Sequence, residues 1–215
     1  ILNYIALLGW SPEEDKEIFT LDELVQAFNV KHIGKVGAIF DPDKLKWING
    51  MWLRGMDLDS YYDLVKPYID QAVKGDFDGK KIAAILQQRA ETLVEIPGML
   101  DFFDEFPAYD NALYVNKKMK TTLEVSLSSL QAAKETLEAM DETNWNQENL
   151  HSVLLEIPKK LERKNGQVLF PLRLALTGKQ FTPGGAIEIA DILGKTETLR
   201  RLNLSIAQLD KEVNA

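Results

Sequence analysis

The side chains that most often carry chemistry are scarce in this chain. Its 215 residues include two histidines, His32 and His151, and no cysteine. Without cysteine there is no thiol nucleophile, disulfide, zinc ribbon or iron–sulfur cluster. Two histidines far apart in sequence cannot be argued into a Ser-His-Asp grouping, and they leave little for a histidine-based metal site. Carboxylates are plentiful, for example Asp101, Asp104 and Glu105. Acid–base work would require one of them to be buried with a raised pKa, and a solvated acidic face explains the run more simply. The residues therefore predict no catalytic group and no metal ligand.

Two short patterns resemble phosphate-handling loops. His32-Ile33-Gly34-Lys35 is similar to half of a His-Ile-Gly-His signature, but it follows a helical stretch and ends in Lys35. Gly194-Lys195-Thr196 is similar to the end of a P-loop, but the glycine required five residues earlier is Ile189. The second pattern reads instead as a helix end followed by the cap of the next helix.

One segment resists a structural explanation. Phe170-Pro171-Leu172-Arg173-Leu174-Ala175-Leu176-Thr177-Gly178 places a single arginine in an apolar run. Such an arginine must find a partner or face a ligand. The following loop, Gln180-Phe181-Thr182-Pro183-Gly184-Gly185, opens onto a helix N-terminus with free N–H groups and partial positive charge. Arginine, hydroxyl and helix end together could read base edges and phosphates.

The elements that must position these residues are helical. Ser11-Pro12-Glu13-Glu14 reads as a capped helix start, and Thr20-Leu21-Asp22-Glu23 as a capping box. Asp41-Pro42 begins a third helix and Tyr61 to Ile69 line a fourth. A fifth follows Asp78-Gly79 through Arg89 and Leu93 until Pro97-Gly98 ends or kinks it. A polar helix is expected over roughly 119–140, then one over 145–164 capped by Asn144. Asn165-Gly166 reads as a tight turn, Gly178 as a helix end, and the last helix runs over roughly 197–213. Trp10, Trp47, Trp52 and Trp145 read as core anchors. No alternating run is long enough for a sheet, so the fold class is all-α.

The chain is acidic overall, with a net charge of −8. The charge is uneven: residues 1–115 carry −9 and residues 116–215 carry +1. That step suits a second half that meets an anion. No apolar stretch is long enough to span a membrane, and the absence of cysteine suits a reducing compartment. The chain begins Ile1-Leu2-Asn3-Tyr4, without Met and in a helix-like pattern, and reads as a piece of a longer protein.

A family resemblance then joins these features. Asn3-Tyr4-Ile5-Ala6-Leu7-Leu8-Gly9-Trp10-Ser11 resembles the segment after the second signature loop of bacterial glutamyl-tRNA synthetases. Phe40-Asp41, Lys44-Leu45, Trp47, Asn49-Gly50 and Leu53-Arg54 are similar to that family's stem-contact helices. Pro171-Leu172-Arg173, Ala175-Leu176-Thr177-Gly178, Thr182-Pro183-Gly184, Leu193-Gly194-Lys195 and Arg200-Arg201-Leu202 resemble its terminal anticodon-binding segment.

The resemblance implies two packed helical subdomains. Residues 1–110 would form a stem-contact subdomain, and residues 111–215 an anticodon-binding cage, with a hinge near 104–116. It implies tRNA-Glu as partner, a cytoplasmic monomer without a membrane, and no cofactor in this part of the enzyme. ATP and Mg²⁺ would serve the nucleotide-binding domain of the parent, so this piece would bind tRNA without activating glutamate. The family's anticodon contacts carry over onto Arg173, Thr182 and Pro183. Gly185 stands where the family often has leucine. Lys179 is expected to touch phosphate. Some members read an anticodon base with an arginine where this chain has Gly98; its absence would extend the partners to tRNA-Gln, unless Arg89 fills the role. Apart from the resemblance, the residues also fit a helical protein–protein interaction module without RNA binding.

Overall fold

A computed structural model describes residues 1–13, 15–35 and 37–214. Among the described residues there are α-helices and short 3-10 turns but no strand, as expected for an all-α chain. Isolated bridges join Trp10 to Ile33 and Asn116 to Thr121.

The first three helices are α1 (Leu2–Gly9), α2 (Leu21–Ala27) and α3 (Pro42–Arg54). The Thr20 capping box forms as expected, with Glu23 N–H donating to Thr20 Oγ1 and Thr20 N–H to Glu23 Oε2. The helix expected after Ser11 does not form in residues 11–13 or 15–20, and Glu14 lies outside the described residues. Asn3 supplies the physical reason. Its side chain donates to Glu17 O at 2.8 Å and accepts from Phe19 N–H at 3.0 Å, holding this segment extended. Trp10, Phe19 and Leu24 form a small core of their own here.

Next come α4 (Leu58–Ala72), α5 (Gly79–Gln87) and α6 (Ile96–Leu100). The helix expected to continue to Pro97 stops at Gln87 instead. The Gln87 amide turns inward and donates to the carbonyls of Leu53 and Met56. These accept at the C-terminal end of α3, where carbonyls lack helical partners. Pro97 does not end a helix. It sits in the first turn of α6, where a missing N–H costs nothing.

The remaining helices are α7 (Leu123–Glu138), α8 (Gln147–Lys160), α9 (Asn165–Thr177) and α10 (Ala186–Val213). Asn146, not Asn144, caps α8 by accepting from Asn149 N–H at 3.0 Å. Asn165-Gly166 is the start of α9 rather than a turn. The chain reverses just before it, where Glu162 takes a positive φ of 53°. The expected break at Gly194 is a kink within α10, with φ of 74°. Lys195 is not a phosphate ligand here; its ammonium donates to the carbonyls of Glu138 and Met140, capping the end of α7.

One apolar core runs from Leu53 to Leu209 and takes side chains from both sides of residue 110, among them Phe102, Phe103 and Tyr114. Of the tryptophans, Trp10 is buried and Trp145 donates its indole N–H to Ala190 O, whereas Trp52 is 41% exposed and does not anchor the core.

Two glycines fix the approach of the α9–α10 loop. Gly178 closes α9 at φ 65°, and a Cβ there would fall 2.8 Å from Pro107 Cγ. Gly184 presses on α5, since a Cβ would fall 3.0 Å from Ile85 Cγ2.

Candidate nucleic-acid interface

The close approach of Gly184 to Ile85 brings the α9–α10 loop against the end of α5 and the start of α6. A cavity of about 370 Å³ opens at this junction. It is lined by Arg89, Gly98, Met99, Arg173, Lys179, Phe181, Thr182 and Pro183. The structure thus gathers six of the seven candidate residues, although 94 positions separate Arg89 from Pro183. The seventh, Gly185, lies just outside, as the residue before α10. It lines a neighbouring cavity of about 380 Å³ that shares Arg89 and Pro183.

Arg173 resolves the question posed by its apolar run. It is half-buried, and its Nη1–H donates to Thr182 Oγ1 at 3.0 Å while its Nη2–H donates to Gln180 O at 2.7 Å. Its guanidinium carbon lies 5.8 Å from the Phe170 ring centroid, one turn back along α9. A guanidinium has five N–H donors. Two are committed to these two bonds, leaving three for a ligand. Thr182 Oγ1 in turn donates to Gly184 O at 2.7 Å, and Thr177 Oγ1 accepts from Lys179 N–H. The loop is therefore stiffened at both ends, and Arg173 sits at the centre of that stiffening.

Burial, and then the neighbouring charge of Arg89, push the Arg173 guanidinium below its ordinary pKa. An arginine remains ionised at neutral pH despite such a shift. Among the described residues no carboxylate forms an ion pair with either Arg89 or Arg173. Two like charges facing one cavity without a counter-charge are unfavourable until an anion or a base edge arrives. Lys179 differs, because its ammonium is ion-paired with Asp101.

Other groups singled out from the sequence have structural partners. Asp104 accepts from the N–H groups of Lys74 and Gly75. Among the described residues no group of three or more His, Asp or Glu is arranged to hold a metal ion, and no helix is long and apolar enough to cross a membrane. The sequence reading missed Phe181 and Met99 in the cavity lining. An aromatic residue set in a loop of Gln, Thr, Pro and Gly was the available signal for Phe181.

An all-helical frame thus brings two guanidinium groups to one cavity. The chain belongs to the anticodon binding domain family, whose model matches residues 60–206. Residues 1–47 match part of the model for the catalytic domain of class I tRNA synthetases (E and Q). The chain is 52% identical over 214 residues to a glutamate–tRNA ligase of Clostridium tetani, and 51% identical over 209 residues to one of Clostridium botulinum. Those alignments take in 100% and 97% of this chain, which spans 43% of the length of either relative. The crystal structure of a glutamate tRNA ligase from Elizabethkingia meningosepticum in complex with its amino acid superposes with a TM-score of 0.74 at 27% identity, covering 97% of this chain and 40% of that one. Glutamate-tRNA synthetase from Elizabethkingia anophelis gives 0.73 at 26% identity, covering 96% and 40%.

Proposed function

We propose that this chain is the tRNA-binding part of a glutamate–tRNA ligase and that the Arg173 cavity receives bases of the anticodon loop. The observation that carries the reading is the convergence of Arg89, Arg173, Thr182 and Pro183 on one cavity without a counter-charge. Anticodon bases are single-stranded, so their edges can be splayed out and read. Arg173 offers three unused donors in a fixed plane, suited to two acceptors on one base. Thr182 orients it, and Pro183, which is buried, stiffens the entry to α10. Lys179, on the rim, contributes phosphate attraction, and Gly185 opens α10 beside the cavity, with Glu188 Oε2 2.8 Å from where its Cβ would stand.

Gly98 faces open space, with nothing within 4 Å of where a Cβ would stand. Arg89 is then the remaining cation on that side of the cavity, and tRNA-Gln is bound alongside tRNA-Glu. Stem contacts are assigned to residues 1–110 and anticodon reading to 111–215, with Arg89 and Gly98 contributed from across that boundary. The parent enzyme would join glutamate to tRNA with ATP and Mg²⁺, acting as a cytoplasmic monomer.

The test is binding of the purified chain to tRNA-Glu transcripts that differ only in the anticodon. Affinity that falls when the anticodon is replaced supports the reading. Equal affinity for every anticodon, or none for any tRNA, removes it.

A further inference from the structure

Phe181 is 82% exposed, while Phe102, Phe103, Phe170 and Tyr114 are buried. Between residues 60 and 206 no other Phe, Tyr or Trp is exposed. Leaving a phenyl ring in water forgoes burial that each of those rings obtains. Its backbone is nevertheless held on both sides. Gln180 O accepts from Arg173 Nη2–H at 2.7 Å, and Thr182 Oγ1 accepts from Nη1–H of the same guanidinium at 3.0 Å. The ring therefore projects from a clamped loop into the lining of the Arg89–Arg173 cavity.

We propose that the Phe181 ring is a stacking platform for one unpaired base of the anticodon loop, resting on the anticodon-binding reading above. Every base has a π-face, so an aromatic ring beside two guanidinium groups adds affinity without selecting a base. Arg173 reads the edge of a base, Phe181 holds a face, and the clamp couples the two positions. The residues on either side of the ring are already held, so binding has only the ring's own side-chain torsions to order.

The experiment uses the whole chain and short RNA hairpins carrying a glutamate anticodon, with 2-aminopurine placed at each loop position in turn. Phe181→Ala, Phe181→Leu and Phe181→Trp are compared with wild type, at two salt concentrations, with Arg173→Ala alongside. Phe181 is exposed, so all three variants should keep the wild-type circular dichroism. The expected result is a loss of about fivefold or more in Phe181→Ala and Phe181→Leu, near-wild-type binding in Phe181→Trp, and an unchanged salt slope. One 2-aminopurine position should be quenched by wild type and lose that quenching in Phe181→Leu. If Arg173→Ala weakens binding while Phe181→Ala and Phe181→Leu do not, the platform is wrong and the anticodon reading stands. If no variant matters and the hairpin does not bind, both fall together.

Discussion

The Arg201 guanidinium and the Phe102 carbonyl oxygen lie 2.7 Å apart, although 99 residues separate them. Arg201 is 1% exposed and also donates to Leu176 O, Phe103 O and Glu197 Oε1. It ties α10 to the end of α9 and to the Phe102-Phe103 turn. Removing it strands three carbonyls in a dry site, while the Glu197 carboxylate, 28% exposed, keeps its bonds from Arg200. Arg201→Ala is expected to cost about 3–5 kcal/mol, read as a shift of the urea midpoint. Arg201→Lys should restore little, because an ammonium lacks the planar fork that reaches several acceptors at once. Arg200→Ala, which breaks an exposed pair with Glu197, should cost at most about 1 kcal/mol.

The same pair sets an acid limit. Hydrogen bonds from Arg200, then from Arg201, hold the Glu197 carboxyl at about 2, below its ordinary 4.5. A depressed folded-state pKa contributes stability that is present above the ordinary value and is lost as pH falls toward the folded one. Stability should therefore decline between pH about 4.5 and about 2. In Glu197→Gln that part of the decline should be absent, and the variant should be less stable than wild type at pH 7. Urea midpoints measured across that range check both statements.

The base-reading assignment of Arg173 predicts a change in preference as well as in affinity. Arg173→Ala should cost about 1–3 kcal/mol toward the glutamate anticodon and less toward anticodons altered at the base it reads. Thr182→Val should reproduce part of that loss, because it removes the acceptor that orients the guanidinium. A uniform loss across all anticodons, with circular dichroism unchanged, would make Arg173 a positioning residue only.

Lys179 is expected to behave differently from Arg173. As a phosphate contact, Lys179→Ala should weaken all anticodon variants alike and reduce the salt slope by about one. Its ion pair with Asp101 adds a second arm to the test. Asp101→Asn frees the ammonium and should tighten binding of every tRNA, most at low salt, where exposed charges are least screened. If Asp101→Asn changes nothing, the lysine serves the fold and not the RNA.

How far the sequence could be read depended on the range of the interaction. Local chemistry was legible: the Thr20 capping box, the Gly178 helix end and the Gly194 break follow from signals a few residues wide. The failures were non-local. Asn3 holds residues 17 and 19 through its side chain, which overrides the capped start at Ser11. Gln87 turns inward to the end of α3, so the helix that periodicity extends to Pro97 stops ten residues early. In the candidate site, Arg173 and Thr182 were accessible because they lie nine residues apart around one loop. Phe181 was passed over because an apolar residue signals a core unless its surroundings are known, and only the fold shows it unburied.

Gly98 supplies the last prediction, which concerns discrimination between tRNAs. It lies on α6, lines the cavity with Arg89 and Arg173, and has no atom within 4 Å of where a Cβ would stand. A side chain can therefore be added there without a clash, and both arginine and alanine favour a helix more than glycine does. Wild type, with open space at this point, should bind tRNA-Glu and tRNA-Gln within about tenfold of each other, roughly 1.4 kcal/mol. Gly98→Arg introduces a third guanidinium on the Arg89 side of the cavity. It should raise affinity for a base presenting two acceptors and oppose one presenting a donor, so the two tRNAs should separate by about tenfold or more. Gly98→Ala is the control: it fills little of the space, adds no donor, and should leave the ratio unchanged. The measurement is the ratio of the two dissociation constants for wild type, Gly98→Ala and Gly98→Arg at one salt concentration. A wild-type ratio already above about tenfold would mean that another residue, Arg89 foremost, performs the discrimination, and Arg89→Ala should then abolish it.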